Sequence, residues 1–193
     1  MPETPPPKLL IVGGSNGAGK STFAVPYAAR IGLPFLNADV LTKRYADAGE
    51  SQPLIKAARE FMRVLDETIE RGESICIETT LSGRYIRGVV ERARARGYRV
   101  ELVFLFLSSP EVAISRVSGR VKKGGHDVPE EDIRRRFDRT FENFLALKDE
   151  VDEYKVYYSQ VEPRVLAQFY DGRKLHTFDQ GANRLFEQII QRL

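Results

Sequence analysis

The chain is 193 residues long with 42% hydrophobic and 30% charged residues, which fits one globular domain over 1–193 and excludes collagen-like, coiled-coil and disordered classes. Its 30 basic residues, mostly arginine, stand against 27 acidic ones for a net charge of +3, too even a balance to imply a nucleic-acid partner. The longest apolar run, Leu102 to Leu107, is far below the roughly 18 residues of a bilayer span, and the single cysteine, Cys76, excludes a disulfide framework or a multi-cysteine zinc site.

Residues 1–7 carry Glu3 and three consecutive prolines where a secretory signal needs a basic end and an apolar core, so an extended or disordered start and a cytoplasmic location are expected. From Lys8 onward, short apolar runs alternate with amphipathic stretches, the pattern of an α/β protein with a mainly parallel sheet. The first strand is predicted at Lys8–Val12, followed by the glycine-rich segment 13–19 and a helix over about Lys20–Arg30. A short strand covers Pro34–Asn37. Leu54, Ala58, Phe61, Met62, Leu65 and Ile69 recur at spacings of three and four and predict a helix from Pro53 to Arg71, closed by Gly72. A third strand covers Ser74 to Glu78 or Thr79, and Ile86, Val89, Val90 and Ala93 mark a helix closing at Gly97. Val100–Leu107 is apolar almost throughout, as a central strand covered on both faces requires. Ser109-Pro110 opens a helix running to about 118, and Pro129-Glu130-Glu131 opens another with Ile133, Phe137, Phe141 and Phe144 inward. Lys155–Tyr158 is the last core strand. A hairpin turned on Asp171-Gly172 and a final amphipathic helix to Leu193 complete the chain.

Gly14-Ser15-Asn16-Gly17-Ala18-Gly19-Lys20-Ser21 matches G-x-x-x-x-G-K-[ST] without a mismatch, between a predicted strand and a predicted helix. In such a loop the glycines let backbone N–H groups converge on a polyphosphate at a helix N-terminus. Gly14, Asn16, Gly17, Ala18, Gly19, Lys20, Ser21 and Thr22 are therefore the expected nucleotide-binding set. Lys20 would reach the β- and γ-phosphates and Ser21 a Mg²⁺ ion, with ATP or GTP as the nucleotide.

Asp39 ends the second predicted strand, on the rim where open parallel sheets bind ligands; it reads as a general base or as the cap of a helix beginning near Val40. Glu78 reaches the same rim, followed by Thr79, Thr80, Leu81 and Ser82. It could hold Mg²⁺ through water or hydrogen-bond a substrate hydroxyl, while Thr80 or Ser82 could simply cap a helix. Residues 116–130 combine cations with glycines, as a closing lid does. Arg116 and Arg120 share a helix face, and arginines so placed would offset charge on a transferring phosphoryl group. Arg135 with Arg139, or Arg136 with Arg139, form the next usable pairs. His126 reads as a hydrogen-bonding lid residue rather than a catalyst.

Together, the phosphate loop through Thr22, Asn37-Ala38-Asp39, Glu78-Thr79-Thr80-Leu81-Ser82-Gly83, and Arg116-Val117 through Gly124-Gly125-His126-Asp127-Val128-Pro129-Glu130 resemble the zeta-toxin-like P-loop kinases. The blocks follow the family's order over residues 8 to about 145. The resemblance implies ATP-dependent phosphorylation of a small-molecule hydroxyl, in the best-known members the 3'-hydroxyl of UDP-N-acetylglucosamine. Carried over, Asp39 is the base, Lys20 and Ser21 the phosphate and Mg²⁺ contacts, Arg116 and Arg120 the lid cations, and Glu78 and Thr80 substrate-side groups. Arg84, two positions beyond the family's arginine, and Arg135 complete the substrate-binding set. Tyr157-Tyr158-Ser159-Gln160 stands where relatives often carry Asp-Asn-Ser near the adenine. An antitoxin-like protein is the partner the resemblance suggests.

The expected fold is thus a P-loop NTPase fold, with a mainly parallel five-stranded sheet in the order 2-3-1-4-5, flanking helices and a C-terminal hairpin. Two other functions fit the same residues. One is a nucleotide-dependent regulatory ATPase. The other is a polynucleotide kinase or nucleic-acid-binding protein using the Arg134–Arg139 face, although the nearby aromatics lie at core spacing rather than as a stacking platform.

Overall fold

The computed structural model describes residues 5–125 and 127–192. The strands are β1 (Lys8–Gly14), β2 (Phe35–Asn37), β3 (Ile75–Thr79), β4 (Arg99–Phe106), β5 (Glu153–Tyr158), β6 (Val165–Tyr170) and β7 (Leu175–Thr177). The helices are α1 (Lys20–Arg30), α2 (Ala38–Asp47), α3 (Pro53–Glu70), α4 (Tyr85–Ala95), α5 (Pro110–Val121), α6 (Glu130–Lys148) and α7 (Gln180–Ile190).

One sheet carries the strands in the order β2-β3-β1-β4-β5-β6-β7. The first five run parallel in the expected 2-3-1-4-5 order. The hairpin is not an appendage, and this corrects the five-stranded expectation: β6 pairs antiparallel with β5, and β7 with β6, extending the sheet to seven strands. The turn behaves as its sequence predicts. Gly172 takes φ 79°, and Asp171 Oδ1 accepts the N–H groups of Arg173 and Lys174 at 3.0 Å each.

β1 and β4 lie at the centre, and Leu9, Leu10, Ile11, Val12 and Val100 through Leu107 are buried, all of them apolar except Glu101. Burial on both faces is what selects these apolar runs. Glu101 and Glu153 are also buried, at the N-terminal ends of their strands, and each has a cation: Lys8 Nζ lies 2.7 Å from Glu101, and Arg99 Nη2 2.9 Å from Glu153. At the other end of the same strands lies the phosphate loop, so buried apolar β1 and β4 fix the loop's position.

Three element bounds differ from the sequence reading. α2 is a full helix begun by Asn37, whose side chain accepts the N–H groups of Asp39 and Val40. α5 continues past the expected end near 118 to Val121, so Arg120 as well as Arg116 lies on its last turns, on the shared helix face their spacing predicts. α7 ends at Ile190. Pro5–Pro7 have no regular structure, although the Pro7 carbonyl accepts the Arg99 N–H at 2.9 Å. No described helix is long and apolar enough to cross a membrane.

Candidate active site

The phosphate loop leaves β1 through Gly14 and reaches α1 through Gly19. Gly19, at φ 76°, sits where a residue with a Cβ is strained, and α1 begins with no side-chain cap. The first N–H groups of the helix are thus left for a ligand. Ser15 Oγ and Asn16 Oδ1 are buried without a hydrogen-bond partner, so the loop holds unmet polar capacity.

Lys20 is buried and donates from Nζ to the Ser15 carbonyl at 3.0 Å. Burial lowers its pKa, the nearby Glu78 and Asp39 carboxylates oppose that, and the Arg120 charge adds to it. Glu78, at the end of β3, is buried too. Its Oε1 accepts from Ser21 Oγ at 3.1 Å and its Oε2 from Asn37 Nδ2 at 2.6 Å. Burial raises its pKa, whereas Lys20, Ser21 and Asn37 favour the carboxylate.

Asn37 uses both ends of its amide. Its Oδ1 accepts from Asp39 N–H at 2.6 Å and Val40 N–H at 3.3 Å while Nδ2 holds Glu78. Asn37, not Asp39, is therefore the cap of α2, and the Asp39 carboxylate is left facing the cleft.

The opposite rim is a short loop after β3. Leu81, buried and at φ 59°, packs against Gly13, where a side chain would overlap it. The strain is over-determined by α6: Thr140 Oγ1 donates to the Thr80 carbonyl at 2.7 Å and Asn143 Nδ2 to the Leu81 carbonyl. Thr80 and Ser82 share a hydroxyl hydrogen bond of 2.8 Å, and Tyr85 donates to Thr79 Oγ1 at 3.1 Å.

These pieces enclose a cleft of about 830 Å³. Of the residues expected from sequence, Asn16, Gly17, Gly19, Lys20, Ser21, Thr22, Asp39, Glu78, Thr80, Arg116 and Arg120 line it. Gly14 and Ala18 are buried and do not. Arg84 and Arg135 do not line it either: Arg84 precedes α4, and Arg135 is exposed and pairs with Asp132. Arg136, one residue on and therefore about 100° around α6, lines the cleft in its place, held to Asp132 at 3.2 Å. Arg116 Nη1 approaches the Gly17 carbonyl at 3.5 Å. His126 lies outside the described residues.

Sequence reading missed Asn37 as a structural pivot, Leu54 and Tyr85 as cleft wall, and Arg164. Arg164 donates from Nη2 to the Gly19 carbonyl and from Nε to Ser159 Oγ, both at 3.2 Å, and Ser159 Oγ donates to the Ala18 carbonyl at 2.5 Å. A phosphate-loop motif contains no signal for this, because the partners are about 140 residues downstream. The charge of residues 134–136 is engaged in ion pairs: Arg134 with Glu111 and Glu130, and both Arg135 and Arg136 with Asp132.

Comparison with known proteins gives concordant results. A protein of Haemophilus influenzae with no described function is 25% identical over 130 residues, spanning 67% of this chain and 92% of that one. The PezAT toxin-antitoxin structure from Streptococcus pneumoniae superposes with a TM-score of 0.67 at 14% identity, over 98% of this chain and 86% of that one. The AvrRxo1-ORF1:-ORF2 structure with ATP gives 0.74 at 20% identity, over 95% of this chain, which spans 63% of that one. A putative kinase from Chloroflexus aurantiacus gives 0.56 at 20% identity, over 68% and 77% of the two chains. These likenesses establish the fold. The Zeta toxin family model matches residues 1–175, and on that match, with its phosphate loop at the head of a P-loop kinase sheet, the chain belongs to the zeta toxin family of P-loop phosphotransferases.

Proposed function

We propose that the protein transfers the γ-phosphoryl group of ATP to a small-molecule hydroxyl, the 3'-hydroxyl of UDP-N-acetylglucosamine being the first acceptor to test. One observation carries this reading most: Asn37 caps α2, which leaves the Asp39 carboxylate facing the cleft that Lys20 and Ser21 also line. A general base is needed where the acceptor hydroxyl meets the γ-phosphate; an attacking water would use the same carboxylate, so the response to added acceptor separates transfer from hydrolysis.

In this reading Lys20 and the loop N–H groups bind the phosphates, and Arg116 and Arg120 offset charge on the transferring group from the last turns of α5. Asp39 accepts the hydroxyl proton. Thr80 lines the acceptor end of the cleft, with Ser82, Tyr85 and Arg136 around it. The Ser21–Glu78 hydrogen bond favours Glu78 at the metal end, beside Ser21, over a role against the acceptor. A hydroxyl and a carboxylate side by side suit Mg²⁺, a hard cation held by one or two protein oxygens plus phosphate oxygens. When bound, Mg²⁺ would supply charge neutralisation on the phosphates.

The ATP and toxin-antitoxin descriptions of the structural neighbours support the choice of nucleotide and the proposal of an antitoxin-like protein partner. Incubation with γ-labelled ATP, Mg²⁺ and UDP-N-acetylglucosamine, with Lys20→Ala and Asp39→Asn as controls, tests the reading. Label on the sugar is the expected result. Label released only as free phosphate, unaffected by any hydroxyl acceptor, would reject it in favour of a regulatory ATPase.

A further inference from the structure

The Arg164 guanidinium lies against the N-terminal end of α1, where the aligned peptide dipoles already present positive charge to Lys20 and to any cation nearby. Its carboxylate partner, Glu162, is 3.9 Å away and mostly exposed, so the pair contributes little by itself. Arg164 is nonetheless well buried, with its side chain 14% exposed. A partly buried guanidinium beside a helix N-terminus adds positive charge where an anion would bind.

Its hydrogen bonds suggest what it does. A trans peptide is planar, so its C=O and N–H point in opposite directions. The Ala18 carbonyl is drawn back by Ser159 Oγ, and the Gly19 carbonyl by Arg164 Nη2. Arg164 also donates to Ser159, so one guanidinium governs both anchors. The N–H groups on the far sides of those two peptides belong to Gly19 and Lys20. Gly19 is adapted to this arrangement, since a Cβ there would collide with Arg164 Nη2.

We infer that Arg164, acting with Ser159, is a positioning residue that turns the Gly19 and Lys20 amides toward the nucleotide phosphates from behind the phosphate loop. The inference rests on the nucleotide-binding reading of this loop and does not depend on which acceptor is used. The arginine fork reaches two acceptors at fixed spacing, which an ammonium group does not reproduce, so lysine should rescue charge without geometry.

The test is equilibrium titration of wild type, R164Q, R164K and S159A with a fluorescent ATP analogue, alongside thermal melts of the ligand-free proteins. Losing hydrogen bonds to a charged group corresponds to about a ten- to hundred-fold weaker affinity, expected for R164Q, with R164K and S159A intermediate. Steady-state kinetics with an accepted substrate should show the ATP KM rising while the acceptor KM stays unchanged. A purely structural tie would instead lower the melting temperature of R164Q and leave the affinity of the folded protein at the wild-type value. That outcome, or S159A and R164K both binding as wild type, overturns the inference while leaving the kinase reading intact. Wild-type protein that binds no nucleotide overturns both.

Discussion

Asp39 occupies the first turn of α2, but it is the backbone N–H that the cap uses; the carboxylate remains in the cleft. Asp39→Asn keeps the shape and removes the basic oxygen, so phosphoryl transfer should fall by about 10²-fold or more while nucleotide affinity measured by titration stays near wild type. Turnover at the wild-type rate would remove Asp39 from the role of base. Cys76 illustrates the opposite case, a chemically capable group held inert. It is fully buried in β3, and burial, reinforced by the Glu78 charge, pushes its thiol up from 9.0 to about 12. The folded chain therefore keeps a proton that the unfolded chain releases, and this contribution to stability is complete below pH 9 and lost as pH rises toward 12. At most it amounts to about 4 kcal/mol. In denaturant titrations the gap in stability between wild type and Cys76→Ala should narrow as the pH is raised above 9. A gap independent of pH would show that the thiol titrates alike in both states.

At the scale of elements, the loop between β3 and α4 is formed as much by α6 as by its own sequence. Thr140→Val removes the donor to the Thr80 carbonyl at nearly constant volume, and is expected to cost about 1–3 kcal/mol in a urea titration, together with a raised acceptor KM. Gly13→Ala should act from the other side, because its methyl group would overlap Leu81; overpacking of this kind costs about 1–3 kcal/mol. If both variants kept wild-type stability, the rim would owe nothing to these contacts. Sequence periodicity locates α6 and its inward phenylalanines, but not Thr140 or Asn143 as supports, since a hydrogen bond across 60 residues leaves no local spacing. In the same way the Asn37-Ala38-Asp39 block is visible as a motif, whereas the division of labour within it becomes legible only from the cap.

Across the whole molecule, the C-terminal hairpin and α7 join the core built by the parallel strands. Phe186 of α7 packs with ring-centroid distances of 5.1 Å to Phe106 and 5.7 Å to Phe144, and 6.3 Å to Phe104 and Phe141. Beside it Gln168 of β6 hydrogen-bonds Asn183 of α7 in a buried pair. α7 lies beyond the residues matched by the family model, yet it closes the sheet that carries the site. Phe186→Ala should cost about 3–5 kcal/mol and lower the whole transition, with circular dichroism and tyrosine fluorescence reporting the same midpoint. Separate midpoints for the two probes would show that the C-terminal region folds as a unit apart from the β1–β5 core.

Local apolar runs, glycines and fixed spacings locate the first five strands, the phosphate loop and the residues that open its helix, whereas the 2-3-1-4-5 order comes with the resemblance to P-loop kinases. The sequence by itself also marked both carboxylates of the rim. Only the tertiary structure decided that Glu78 turns to Ser21 and Asn37, that Arg136 rather than Arg135 meets the cleft, that the hairpin continues the sheet, and that Arg164 stands behind the loop. The physical reason is the same in each case. These outcomes depend on which distant groups a buried polar atom finds, or on a rotation of about 100° per helical residue, and neither is encoded in the neighbouring residue types.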